Sequence, residues 1–135
     1  MRRVVVTGIG MISPFGVGAD YGWNCISNGQ SAIRNIQGFD ASDLASQVAA
    51  EVPMPAYGVT GDHVFDTDKF IAPKEQKKMD KFIHFGIVAA DEAIQDAGWS
   101  PEDEESQNRT GVLIGSGIGG LTQIHDNSLT LAEKG

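Results

Sequence analysis

Few side chains in this sequence are of the types that do covalent or acid–base chemistry, and their spacing argues against it. The single cysteine, Cys25, falls in Trp23-Asn24-Cys25-Ile26, mid-helix by pattern and away from the N-terminal end that would lower a thiol pKa. It reads as a small packed thiol. His63, His84 and His125 show no i, i+4 spacing and no accompanying Cys or Glu pattern, so no metal site is expected. Neither a catalytic constellation nor a cofactor is expected from these residues. Two features that bind rather than react remain: a run of lysines and a run of glycines.

The lysines are Lys69, Lys74, Lys77, Lys78 and Lys81, five of ten basic residues within thirteen positions of a chain whose formal net charge is -8. On a continuous helix Lys74, Lys77, Lys78 and Lys81 sit at i, i+3, i+4 and i+7 and share one face. Like charges so placed cost a few tenths of a kcal/mol, roughly, per pair, a cost that Glu75, Asp80 or an acidic partner offsets. The glycines are Gly115-Ser116-Gly117-Ile118-Gly119-Gly120. They satisfy the G-x-G-x-x-G pattern between an expected strand and an expected helix, which keeps a nucleotide-binding α/β domain as an alternative. An acidic ribose ligand, however, belongs after a second strand about 20 residues on, and Glu133 still lies in the helical stretch. Ile118 is the one bulky side chain in the loop, and an apolar tip suits an alkyl pocket better than a phosphate cradle.

The elements that must position these residues follow an α/β alternation. Val4-Val5-Val6 and Thr110 to Ile114 read as buried strands of a parallel sheet. A shaped loop with three glycines and Pro14 follows the first, then a short helix from Asp20 to Asn28 stopped by Gly29. Gln47 to Val52 reads as a further strand, and Pro53 to Asp68 as an irregular surface excursion. A long helix is expected from Pro73 to Ala97, with Gly98 as terminator. Its apolar stripe is Met79, Phe82, Ile83, Gly86, Ala90, Ala93, Ile94 and Ala97, about 150° around the axis from the lysines. Phe85 falls among the lysines, as an interface aromatic would. A last helix runs from about Leu121 to Lys134.

A length of 135 residues with 41% hydrophobic and 21% charged residues suits one globular core. The acidic balance argues against nucleic acid as the main partner. One cysteine cannot form an internal disulfide, and no apolar run reaches the ~18 residues of a membrane span. A soluble, cytoplasmic protein with no membrane partner is the expectation.

Four motifs in order carry a resemblance: Arg2-Arg3-Val4-Val5-Val6-Thr7-Gly8-Ile9-Gly10-Met11 with Ser13-Pro14-Phe15-Gly16; Gly29-Gln30-Ser31-Ala32-Ile33; Lys74-Glu75-Gln76-Lys77-Lys78-Met79-Asp80; and Gly115 to Gly120. Together they closely resemble the N-terminal part of a β-ketoacyl-acyl-carrier-protein synthase, most like the bacterial type II elongating enzyme. The resemblance implies an incomplete thiolase-like fold, the first part of the N-terminal half of an α-β-α-β-α layered acyltransferase that works as a homodimer. It implies decarboxylative Claisen condensation of an acyl-enzyme with malonyl-carrier, with fatty acid and polyketide synthesis both open. The family's nucleophile motif, Thr-Ala-Cys, and its two histidines are expected beyond Gly135, so residues 1–135 alone are expected to be inactive. A non-catalytic carrier-binding scaffold is the other alternative. Carried over residue by residue, Lys74, Lys77 and Lys78 match the docking patch for the acyl carrier protein. Gly117, Ile118 and Gly119 match the loop bordering the acyl pocket.

Overall fold

The computed structural model describes residues 2–135. In chain order the elements are β1 (Ile12–Ser13), β2 (Gly16–Val17), α1 (Ala19–Ser27), β3 (Arg34–Asn35), β4 (Val48–Ala49), a 3-10 turn at Pro55–Tyr57, α2 (Thr67–Phe70), α3 (Pro73–Gln76), α4 (Lys81–Ala97), α5 (Glu104–Asn108) and α6 (Leu121–Lys134). β1 pairs antiparallel with β2, Ile12 opposite Val17, and β3 pairs antiparallel with β4, Arg34 opposite Ala49.

The frame is the contact between α4 and the extended segment that leads into β1. Small residues recur every fourth position along α4 at Ala89, Ala93 and Ala97, and the backbone at Gly8 and Gly10 lies directly on them. A methyl at Gly8 would collide with the Ala93 carbonyl and Ala97, and one at Gly10 with the Ala89 carbonyl. Two acids one turn apart on α4 then fix the register. Asp96 Oδ2 accepts from the Ile9 amide at 2.9 Å and Glu92 Oε2 from the Met11 amide at 2.8 Å. The spacing is physical: four residues of helix advance about 6 Å, and alternate amides of an extended chain repeat at about 6.6 Å.

Glu92 does a second job. Gly18 starts α1 without a side chain to cap it, leaving the first amides of that helix unpaired. Glu92 Oε1 accepts from the Ala19 amide at 2.7 Å, and its negative charge sits where the helix dipole favours it. α1 ends as expected, with Asn28 bonded back to Asn24 and Gly29 at φ 69°. The β1–β2 hairpin is clamped by His63, whose carbonyl accepts from the Val17 amide at 2.8 Å while its Nδ1 lies 2.9 Å from the Val17 carbonyl. Its ring stacks on Tyr21 at 3.6 Å between centroids.

Several expectations need correction. Pro53 to Asp68 is not a surface excursion, because Phe65 is 0% exposed and Val64 is buried beside it. Phe65 meets Phe85 edge-on at 4.8 Å. Phe85 is therefore a core aromatic, not an interface one. The side of α4 buried here carries His84 and Val88, with Phe85 half-buried beside them, while Phe82 and Ile94 of the expected stripe are exposed. α4 thus carries exposed apolar side chains at Phe82, Ile87 and Ile94 in addition to its packed side.

The parallel pairing between Val4–Val6 and Thr110–Ile114 is not formed. Val4 is 95% and Leu113 99% exposed, and neither run enters a sheet among the described residues. Continuous apolar runs of this kind become strands only where neighbours satisfy their amides and cover both faces. The strand expected over Gln47 to Val52 shrinks to β4. No helix is long and apolar enough to cross a membrane among the described residues.

The Gly8/Gly10 contact generates a test. Gly10 does not have a positive φ, so alanine there is unfavourable only through the collision with α4. Gly10→Ala in the intact protein should lower unfolding free energy by about 2 kcal/mol, the scale of forced overpacking, measured as a shift in denaturation midpoint. An unchanged midpoint would contradict the close approach.

Candidate functional site

The long helix expected from Pro73 breaks at Asp80. α3 ends at Gln76, and the next amides make shorter reaches, Lys78 N to Glu75 O at 3.0 Å and Met79 N to Gln76 O at 3.1 Å. Asp80 is extended, at φ -83° and ψ 163°, and starts α4 anew. Aspartate favours this outcome, since its short side chain competes for backbone donors inside a helix but completes one at the N-cap. The four lysines therefore do not share one helical face. Lys74 lies in α3, Lys77 at its C-cap, Lys78 in the turn after it, and Lys81 opens α4.

All the same, these lysines are exposed. Lys78 Nζ binds Glu75 Oε1 at 2.8 Å. Lys74 and Lys77 form no ion pair among the described residues. Lys81 Nζ sits 6.0 Å over the Tyr57 ring. Gln76 holds the segment in place: its Nε2 donates to the Ile71 carbonyl at 2.7 Å and to Asp68 Oδ1 at 2.9 Å, tying α3 to α2. Glu75 thus offsets one lysine, as expected, and Asp80 offsets none, because its carboxylate is turned to backbone amides. The result is a short, pinned, solvent-facing segment with uncompensated positive charge.

The glycine loop reaches the same end of α4. Gly117 and Ile118 lie in a bend, Ile118 is 74% exposed, and a methyl at Gly117 would meet nothing within 4 Å. Gly119 has φ 82°, and a methyl there would lie 3.9 Å from the Phe82 ring. Gly120 starts α6 with no side-chain cap of its own. Asp80 provides it: Oδ1 accepts from the Lys81 amide at 2.7 Å and Oδ2 from the Gln123 amide at 3.2 Å. One carboxylate therefore joins the starts of α4 and α6. The segment before the loop is not a strand, so the strand–loop–helix context of a dinucleotide site is missing.

Cys25 and His84 are occupied in packing, whereas His125 is exposed on α6. Cys25 is 2% exposed, and its thiol raises the Tyr21 phenol above the ordinary value, by side-chain hydrogen bonding first and by charge second. His84 is buried with Nε2 unpartnered. No group of three or more His, Cys, Asp or Glu side chains able to hold a metal occurs among the described residues. Gln76, Asp80 and Glu92 were not singled out from the sequence as positioning residues. The signal for two of them was present, since Gly18 and Gly120 each precede a helix without a capping side chain and need an acid from elsewhere.

Residues 1–135 match the family described as beta-ketoacyl synthase, N-terminal domain. The chain is 47% identical to 3-oxoacyl-acyl-carrier-protein synthase 2 of Rhizobium meliloti (strain 1021), over 100% of this chain and 31% of that protein. It is 42% identical to the protein of the same name from Vibrio harveyi, over 99% of this chain and 30% of that one. Among solved structures it is similar to one described as the ishigamide ketosynthase/chain length factor, with a TM-score of 0.71 and 27% identity over 98% of this chain and 30% of that chain. The chain thus spans about a third of the length of these relatives. With a family match over every residue and a shared thiolase-like architecture, the chain belongs to the β-ketoacyl synthase family and corresponds to part of its N-terminal domain.

Proposed function

We propose that this chain is the carrier-docking and pocket-forming part of a 3-oxoacyl-acyl-carrier-protein synthase of fatty acid elongation. The observation that carries the reading is the adjacency at one end of α4: Lys74, Lys77 and Lys78 face solvent on one side of Asp80, and the Gly117–Gly119 loop lies on the other. Similarity to two synthases of that name supports it. The reaction is a decarboxylative Claisen condensation. An acyl group passes from its carrier to an enzyme thiolate with release of the carrier thiol, loss of carbon dioxide from malonyl-carrier leaves a carbanion, and the carbanion attacks the acyl carbonyl, forming the carbon–carbon bond and expelling the enzyme thiolate. Cys25, packed inside α1, is not that thiolate. The protein acts as a homodimer in the cytoplasm, with acyl and malonyl carrier proteins as partners.

Each part of the segment has a physical task in that reaction. Free lysine charges steer and orient an acidic carrier, governing encounter more than chemistry. A glycine loop with one apolar side chain borders a channel that must accept a lengthening alkyl chain without offering it polar groups.

Two outcomes follow. Reversing Lys77 and Lys78 to glutamate in the intact enzyme should weaken acyl-carrier association on the order of tenfold at low salt and less at high salt, because exposed charges are screened. Titration with the acyl carrier protein at two ionic strengths measures it, and unchanged binding at low salt would return the lysines to solvation alone. Ile118→Phe should shift activity toward shorter acyl-carriers. Identical chain-length profiles for variant and parent would remove Ile118 from the pocket.

A further inference from the structure

We propose that Asp80 is a positioning residue that fixes the Ile118 loop to the docking segment, so that the acyl-pocket wall and the carrier surface share one anchor. The proposal rests on the pocket reading of Gly117–Gly119 given above and adds the group that holds that loop.

Its basis is the double use of one carboxylate. Oδ1 takes the Lys81 amide, directly after the lysine segment, and Oδ2 takes the Gln123 amide, the third of α6 and the one a capping side chain normally serves. Gly120 cannot cap α6 itself. It is also the residue whose missing side chain lets Asp80 in, since a methyl there would collide with the Asp80 carboxylate. Gly120 has φ -88°, so glycine is needed at this position for space and not for backbone conformation. The loop bearing Ile118 runs directly into this contact, while a methyl at Gly115 or Gly117 would meet nothing within 4 Å. Its downstream tether is therefore the Asp80–Gly120 contact together with the approach of Gly119 to Phe82.

The test uses the intact enzyme with Asp80→Gly, Gly120→Ala and both together. Replacing an N-cap aspartate by glycine removes the side-chain acceptor at little cost to the helix, since water reaches the freed amide, so Asp80→Gly removes the link to Gln123 while α4 keeps its start. Each single variant should speed amide exchange at Gln123 by about tenfold, the loss of one charge-assisted bond. Each should also change the ratio of kcat/KM for short over long acyl-carriers, which a mere loss of folded enzyme, lowering both alike, would leave unmoved. The double variant should exchange like Asp80→Gly alone, because removing the carboxylate makes room for the new methyl. Parental exchange at Gln123 in both single variants, or fully additive effects in the double variant, overturns the proposal. Faster exchange with an unchanged chain-length profile overturns the link to Ile118 if Ile118→Phe does alter that profile. If Ile118→Phe leaves it unchanged too, the pocket reading itself is overturned, and the proposal with it.

Discussion

Besides α4, the two longest helices of this chain begin at a glycine, and neither glycine has a side chain to offer the first amides of its helix. Unpaired amides at a helix start are costly when partly buried, and the acids that satisfy them come from α4 and its cap. Glu92 serves α1 through Ala19, and Asp80 serves α6 through Gln123. Each carboxylate also accepts a second backbone amide, from Met11 and Lys81 respectively. At α6 glycine permits this by leaving room for the Asp80 carboxylate beside Gly120, whereas at α1 Gly18 is suited to its φ of 114° and a methyl there would only touch its neighbours. Removing α4 would leave both helix starts, and the extended segment laid on Ala89, Ala93 and Ala97, without partners.

That dependence explains where the candidate site lies. The break at Asp80 puts the lysine segment and the glycine loop on either side of one residue, joined through α4 and not through a continuous helix. Charge magnitude decides what the segment can do. The chain is acidic, at -8, so its overall field repels an acidic partner. Screening reduces that field beyond about 8 Å at physiological ionic strength, whereas Lys74 and Lys77, uncompensated by any ion pair among the described residues, act at contact. In the proposed docking role local arrangement would have to outweigh net charge, and Gln76 holds that arrangement by tying α3 to α2.

Much of this was legible in the sequence, unevenly. Helix α1 and its stop at Gly29, the end of α4 at Gly98 and the helix after Gly120 follow from local rules about caps and glycine. The family likewise follows from four motifs in order. Long-range competition decided the rest. Periodicity carried the lysine helix straight through Asp80, because nothing nearby says that its carboxylate is wanted by Gln123, 43 positions away. Phe65 looked like loop because Pro53, Pro55, Gly58 and Gly61 surround it, yet Phe85 and Phe70 close over it. The strands expected at Val4–Val6 and Thr110–Ile114 have the right composition, and composition alone does not supply neighbours. Both runs remain exposed apolar surface.

The proposed meeting of carrier surface and pocket loop at the start of α4 is tested most directly by an amide-exchange footprint of acyl-loaded carrier protein on the intact enzyme. Slowed exchange should fall together on residues 72–79 and on residues 117–123, with the second region responding only when the carrier bears its acyl chain. Protection confined to other surfaces, or a loop that responds equally to unloaded carrier, would contradict it.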